Sequence, residues 1–216
     1  QLTSIEGKFK GVRQGTGVGD NRYSTHSRTT ITTSSKIIVM AAAEVWFLRA
    51  EAALRGFTSE DVESCYKQGV TTSFAQWDAS GVSEYLESEN TPADYVDTFD
   101  KNFDAKATTS ITPKWDNTAD NETKLERIIT QKWLAIYPEG CEAWAEQRRT
   151  GYPKLFKVVV NNSSNAISTD DMIRRVFFNQ DYITNNKPLY DALVSKLGGL
   201  DTGGTRLWWD TGKNNF

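Results

Sequence analysis

Histidine is almost missing from this chain, cysteine is scarce, and no long apolar run occurs. The one histidine, His26, lies in a Gly/Ser/Thr-rich stretch with no carboxylate or cysteine beside it in sequence. A histidine-centred acid–base or metal site has little to build on there, and a solvated loop histidine is the simpler reading. The two cysteines, Cys65 and Cys141, are far apart and lack a CxxC or nucleophile-elbow context. Neither a disulfide framework nor a structural metal site is indicated; two buried free thiols are expected, with a single bridge as the alternative. No segment approaches the length of an apolar membrane span. No Lys/Arg run stands out, and the net charge is −3 with a pI near 5.3, so nucleic acid and anionic membrane surfaces make poor partners. The opening residues QLTSIEGKFKG carry neither a signal pattern nor a lipid-acceptor cysteine. GTGVGD (15–20) has a G-x-G but follows no strand-like run and opens no helix, so it is no dinucleotide fingerprint.

Aromatic residues are plentiful: 7 Trp, 8 Tyr and 10 Phe in 216 residues, enough to serve both a packed core and a ligand-facing surface. Residues 1–36 read as loop, punctuated by glycine. From 37 to 55 the pattern turns helical, with Val45, Leu48, Ala52 and Trp46, Arg49, Ala53 at helical spacing. Gly56 supplies the stop, because glycine takes the left-handed conformation without steric cost. Ser59 is placed to cap a second helix that carries Val62, Tyr66, Val70 and Phe74 on one face. The pair forms a helical hairpin of tetratricopeptide type. A short helix is expected at 82–89, then an irregular stretch over 90–120, long enough to be functional or disordered. Asp120 or Asn121 opens the next helix, striped by Leu125, Ile128, Ile129, Trp133, Ile136 and Tyr137 and ended by Pro138. A helix over 141–149, stopped by Gly151, completes a second hairpin, and another is expected over 188–197. The fold class is mainly α, with long irregular loops.

Carboxylates are numerous, yet their spacing favours ion pairs over catalysis. Glu44 and Glu51 share a helix with Arg49 and Arg55, and Glu142, Glu146 and Arg149 recur at i, i+4, i+7, with Arg148 adjacent. A glycosidase needs only two carboxylates facing one cleft, so that reading stays open as the lesser one. YVDTFDKNFD (95–104) is Asp-rich but lacks the glycine and terminal glutamate of an EF-hand loop; no metal site or cofactor is expected, with room only for a loosely bound Ca²⁺. Trp46, Trp133 and Trp144 lie on helical stripes and read as core. Trp115, Trp77, Tyr95 and Phe99, at helix ends or in the long loop, are the ligand-binding candidates, with Phe103 beside them. An exposed ring offers a flat apolar face to the C–H side of a sugar, worth roughly 1–2 kcal/mol per ring. Loop aromatics pin loops to the body equally well. Trp208 and Trp209 in RLWWD read as tail anchors.

Five blocks occur in order: MAAAEVWFLRAEAALRG, ITPKWD, LERIITQKWLAIYPEGCEAWAEQRRTGYP, NNKPLYDAL and LGGLDTGGTRLWWD. Together they resemble the C-terminal part of the SusD/RagB family of outer-membrane nutrient-binding lipoproteins. Cys141 stands where relatives often have a large aromatic. The resemblance implies a single SusD-like domain over 1–216, an α/α superhelix of tetratricopeptide-like hairpins, forming the C-terminal portion of a longer chain whose signal, lipidated cysteine and N-terminal part precede it. It implies a non-catalytic protein, lipid-anchored at the outer surface. Such a protein binds a starch-type or other oligosaccharide, in some branches a peptide, and delivers it to a SusC-like TonB-dependent transporter. No block is a ligand signature. A protein- or peptide-binding helical-repeat scaffold is the alternative function. The fragment alone is expected to expose large apolar surface.

Overall fold

The computed structural model describes residues 9–17, 21–27, 29, 31–35 and 37–216. Its contacts resolve two compact units within the expected single domain. One comprises residues 31–94, 106–155 and 213–216 and is helical; the other comprises 1–30, 95–105 and 156–212 and is mostly loop.

In the helical unit, α1 (Ala42–Leu54) buries Ala43, Phe47 and Ala50 on one stripe. It starts five residues later than the sequence pattern suggests. Ile37 and Val39 stand exposed and Ile38 is only partly buried, so the β-branched run IIV has little packing to offset its weak helix propensity. Gly56, at φ 75°, ends the helix as expected, its N–H donating to the Ala53 carbonyl. The following helix, α2 (Val62–Gln76), is capped by Asp61 rather than Ser59: the Asp61 carboxylate accepts the Ser64 N–H at 2.8 Å. Tyr66 and Val70 are buried on its inner face, and Val62 and Phe74 pack beside them. Gly69 lets the two helices approach. A Cβ there would lie 2.7 Å from Cε1 of Phe47, too close for any real side chain. Gly69→Val is therefore expected to cost about 1–3 kcal/mol in urea unfolding, through overpacking.

After the short α3 (Val82–Leu86), the chain reaches α4 (Asn121–Ala135), capped by Asp120, which accepts the Thr123 N–H at 2.8 Å. Leu125, Ile128 and Ile129 complete the core against α1 and α2. The stripe ends before Tyr137, which is exposed. The long loop does not stand free of this core. Tyr66 donates its O–H to the Pro113 carbonyl at 2.6 Å, Thr109 bonds Glu126, and the Trp115 ring packs 5.0 Å from that of Tyr66.

Next, α5 (Gly140–Thr150) runs to Gly151, left-handed at φ 79° as expected, and is tied to its neighbours by charge. Lys132 of α4, with a side chain 1 % exposed, sits 2.9 Å from Glu142, 3.4 Å from Glu146 and 3.5 Å from Glu44. Arg149 forks between Glu51 (2.6 Å) and Glu146 (2.8 Å), and Arg55 closes on Glu51 at 2.8 Å. Burial pushes the Glu51 carboxyl up, but its two arginines outweigh that and hold it below its ordinary value. Glu44 goes the other way: burial, aided by the Glu142 and Glu146 charges, raises it above 4.5 despite Lys132. A carboxyl raised in the fold favours the folded state below its unfolded value, and that contribution is lost as pH rises through the folded one. The stability of Glu44→Gln relative to wild type should thus improve as pH climbs from 4.5 to 7 in parallel denaturation series.

Residues 213–216 return to this unit. Asn215 and Phe216 place their backbone N–H groups on Glu122, and Arg55 donates to the Asn215 carbonyl at 3.2 Å and stacks on the Phe216 ring. Tryptophans expected in the core lie at its margin instead: Trp46 and Trp144 are partly buried, each under its own helix's guanidinium, Arg49 at 3.9 Å and Arg148 at 3.7 Å. Both cysteines are free, but only Cys65 is buried; Cys141 is exposed at the start of α5, against the expectation of two buried thiols.

The loop unit has its own organisation. Residues Gly15 and Val158–Val160 run together, the N–H groups of Val159 and Val160 donating to the Gly15 carbonyl. Gly15, at φ 79°, admits Val158 where a Cβ would come within 2.6 Å. Arg174 grips Asp210 through two bonds of 2.6 Å, with both side chains almost wholly buried, and Arg206 meets the same carboxylate at 2.6 Å. Arg175 pairs with Asp201 alongside. These pairs anchor the tail; of the two tryptophans expected to do so, Trp208 is 91 % exposed and Trp209 is partly buried. The two helices here, α6 (Gln180–Asn185) and α7 (Lys187–Leu197), bury no residue fully. Large apolar side chains stand exposed in both units, among them Phe57, Val176 and Leu200.

Candidate functional site

The Asp-rich segment folds as a closed turn. Tyr95 and Ala105 exchange backbone hydrogen bonds of 2.8 Å in an isolated antiparallel bridge, and the residues between them turn around Asp97. Its Oδ1 accepts the N–H groups of Phe99 (2.8 Å) and Asp100 (3.0 Å); its Oδ2 accepts the phenols of Tyr23 (3.0 Å) and Tyr95 (3.2 Å). Asp104 accepts the Asp97 N–H at 2.7 Å, and Asp100 accepts that of Asn102 at 2.9 Å, capping the 3-10 turn Lys101–Phe103. The carboxylates of Asp97, Asp100 and Asp104 are thus engaged with backbone donors, as Asx turns require. Burial pushes the Asp97 carboxyl up, but its four donors outweigh that and keep it below its ordinary value.

Rings gather over this turn. Tyr23 meets Phe99 edge-on at 5.4 Å and His26 edge-on at 4.9 Å; Tyr95 lies 6.1 Å from Phe156. Arg13 braces the Tyr95–Phe156 pair against the end of the turn. Its guanidinium lies 5.8 Å from the Phe156 ring and donates to the carbonyls of Phe103 (2.9 Å), Asp104 (3.2 Å) and Lys157, while its backbone N–H donates to the Tyr95 phenol at 3.3 Å. Lys10 places its ammonium 5.9 Å from the Tyr95 ring. Phe99 is 47 % exposed and Phe156 36 %, so each ring pair keeps an apolar ring in water above hydrogen-bonded backbone. Such a face suits stacking of a ring-shaped ligand, with exposed Thr98, Asn102 and Lys101 beside it for hydroxyl groups.

The four sequence candidates part company here. Tyr95 and Phe99 come together in the loop unit. Trp77 lies in the helical unit, at the C-cap of α2 before Asp78 (φ 50°), and is 48 % exposed. Trp115 is corrected from the surface to the core: it is 8 % exposed, packed on Tyr66, with its indole N–H donating to Asn117 at 2.9 Å. Phe103 is partly buried in its 3-10 turn. Sequence reasoning missed Tyr23, Phe156 and Arg13. Tyr23 sits in a stretch without periodicity, and nothing local marks it as a partner for residues 74 positions away.

His26, read as solvated, is instead 2 % exposed, with Nε2 3.3 Å from the Thr98 hydroxyl. Burial, then the nearby Lys10 charge, lowers its proton affinity, with Asp97 opposing. The unfolded chain takes the proton first, so stability is unaffected well above pH 6.5 and falls as pH drops below it. His26→Gln should remove that part of the pH dependence in urea titrations at pH 7.5 and 5.5.

The helical unit packs the α1–α2 hairpin against α4, an arrangement of the helical-repeat class. The model of the SusD-like family, described as Susd and RagB outer membrane lipoprotein, matches residues 1–210. A SusD homolog from Bacteroides vulgatus is 52 % identical with a TM-score of 0.89, over 97 % of this chain and 44 % of its own. A chitin-binding SusD homolog from Flavobacterium johnsoniae is 42 % identical with a TM-score of 0.91, over 98 % and 45 %. A SusD homolog from Bacteroides thetaiotaomicron is 36 % identical with a TM-score of 0.89, over 99 % and 48 %. No curated protein matches. The chain belongs to the SusD-like family, and it spans less than half the length of these solved relatives.

Proposed function

We propose that this chain is part of a non-catalytic glycan-binding protein of the outer membrane, lipid-anchored at the surface, that hands an oligosaccharide to a SusC-like TonB-dependent transporter. The observation that carries the reading is the exposed Phe99 ring on the turn that Asp97 closes, in a chain of the SusD-like family. Tyr95 and Phe99 are its ligand-facing residues, and Trp77 is a separate platform. The chitin-binding relative makes β-linked N-acetylglucosamine oligosaccharides the first ligands to try, beside starch-derived ones. Phe99→Ala is expected to weaken binding of the preferred oligosaccharide by roughly 5- to 30-fold, the equivalent of about 1–2 kcal/mol of lost stacking. Isothermal titration reads this directly, and unchanged affinity would remove Phe99 from the site.

A protein- or peptide-binding role is the second reading, favoured by Ile37 and Val39, which stand 90 % and 89 % exposed ahead of α1. Tight capture of a barrel partner with no response to any glycan would select it.

A further inference from the structure

An aromatic face binds well only if its rings are already in place, since ordering them on binding consumes affinity. Resting on the glycan-binding reading above, we infer that Asp97 is the residue that positions this face: one buried carboxylate sets the Tyr95 ring and the Phe99 turn together. Two pieces of chain meet on it: residues 21–27 bring the Tyr23 phenol, and its own 95–105 segment brings the Tyr95 phenol and the successive backbone N–H groups of Phe99 and Asp100. The division of labour is clear-cut. Oδ1 fixes the backbone that carries Phe99; Oδ2 fixes the two phenols. Tyr23 in turn abuts the Phe99 ring, so the side of that ring away from solvent is set through the same carboxylate.

The chemistry at this position requires an anion. An ionised carboxylate is acceptor-only and has lone pairs for all four donors. An asparagine of the same shape keeps one carbonyl oxygen. With that oxygen toward Phe99 and Asp100 the turn survives, but the amide N–H₂ then faces two phenols. Tyr95 already accepts the Arg13 N–H, so its oxygen is poorly placed to accept another. Asp97→Asn should therefore leave the turn closed and release the Tyr95 and Tyr23 phenols. Tyr23→Phe is the milder variant, removing one of four bonds and nothing else.

The test uses the full-length protein with chitooligosaccharides and maltooligosaccharides as probes, and reads three quantities for wild type, Asp97→Asn, Tyr23→Phe and Phe99→Ala. The first is affinity; the second is the unfolding midpoint; the third is the titration of Tyr23 by NMR. Burial, and after it the Asp97 charge, pushes Tyr23 from 10.0 up to about 12 in the wild type. Asp97→Asn should bring that value down, confirming that the charge has gone from its partner. It should also weaken binding about 10-fold, with Tyr23→Phe intermediate and both midpoints close to wild type. Wild-type affinity in Asp97→Asn, alongside weakened Phe99→Ala, overturns the positioning role and leaves the glycan reading standing. A loss of affinity that only follows a collapse of the midpoint, with Tyr23→Phe unaffected, also overturns it. No effect of Phe99→Ala, or no binding of any probe by the wild type, sinks the reading and the inference with it.

Discussion

Lys132→Ala is expected to cost the helical unit about 3–5 kcal/mol, because it strips the shared cation from a buried carboxylate cluster. Glu44, Glu142 and Glu146 all lie within 3.5 Å of its ammonium, and its side chain is 1 % exposed. Burial alone would lower the proton affinity of that lysine, but the three carboxylates outweigh it and keep the group charged above its ordinary range. Without it, Glu44 and Glu146 are left buried and mutually repelling, with Arg149 still on Glu146. The cost should shrink at low pH, where the carboxyls take up protons. Lys132→Met combined with Glu44→Gln, Glu142→Gln and Glu146→Gln should recover much of the loss, because amides and an apolar stem carry no charge to desolvate. Urea unfolding at pH 7 and pH 5 checks both statements. A loss below about 1 kcal/mol at pH 7, the size of an exposed ion pair, would mean that water reaches the cluster.

Asp210→Ala is the corresponding expectation for the loop unit, also about 3–5 kcal/mol. Its carboxylate accepts two bonds from Arg174 and one from Arg206, and its side chain is 1 % exposed. Truncation takes from the Arg174 guanidinium, itself 3 % exposed, the carboxylate that it grips through two bonds, while Asp171 lies farther off at 3.8 Å. Arg206 is partly exposed and retains Asp171 at 3.0 Å, so Arg206→Ala should cost far less, within about 1 kcal/mol. Hydrogen exchange places the loss: protection should fall over residues 171–175 and 203–210 and hold in α1, α2 and α4. A uniform fall across the chain would show that the two units unfold as one.

Local signals in the sequence were sufficient for several helix ends of the helical unit. Gly56 and Gly151 stop helices because each sits at positive φ, and Asp120 caps α4 through a bond to a residue three positions on. Such features depend only on near neighbours, and so does the Tyr66/Val70 stripe. The charge cluster was also foreseeable, since Glu142, Glu146 and Arg149 share one face of α5. Its hub was not, because Lys132 meets carboxylates from both α1 and α5. The first helix started late because periodicity counts Ile37 and Val39 as apolar without knowing that nothing covers them.

The site was legible only in part, and for a related reason. Tyr95 and Phe99 could be picked out as aromatics in a long Asp-rich loop. Trp115 had the same local appearance, yet its loop folds back onto Tyr66, a contact 49 positions apart that no window reveals. Tyr23, Arg13 and Phe156 reach the face from segments whose sequences show no pattern. The turn built by the aspartates was not legible, because Asx turns and cation loops draw on the same residue types; only the positions of the backbone N–H groups reveal it.

The measurement that bears most directly on the central claim is isothermal titration of the full-length protein with a panel of oligosaccharides, chitin- and starch-derived ones included, with product analysis of the same mixtures. The account predicts saturable binding to one glycan class, no release of shorter oligosaccharides over time, and weakened binding in Phe99→Ala. Oligosaccharide products accumulating in those mixtures, or silence across the whole panel, would contradict it.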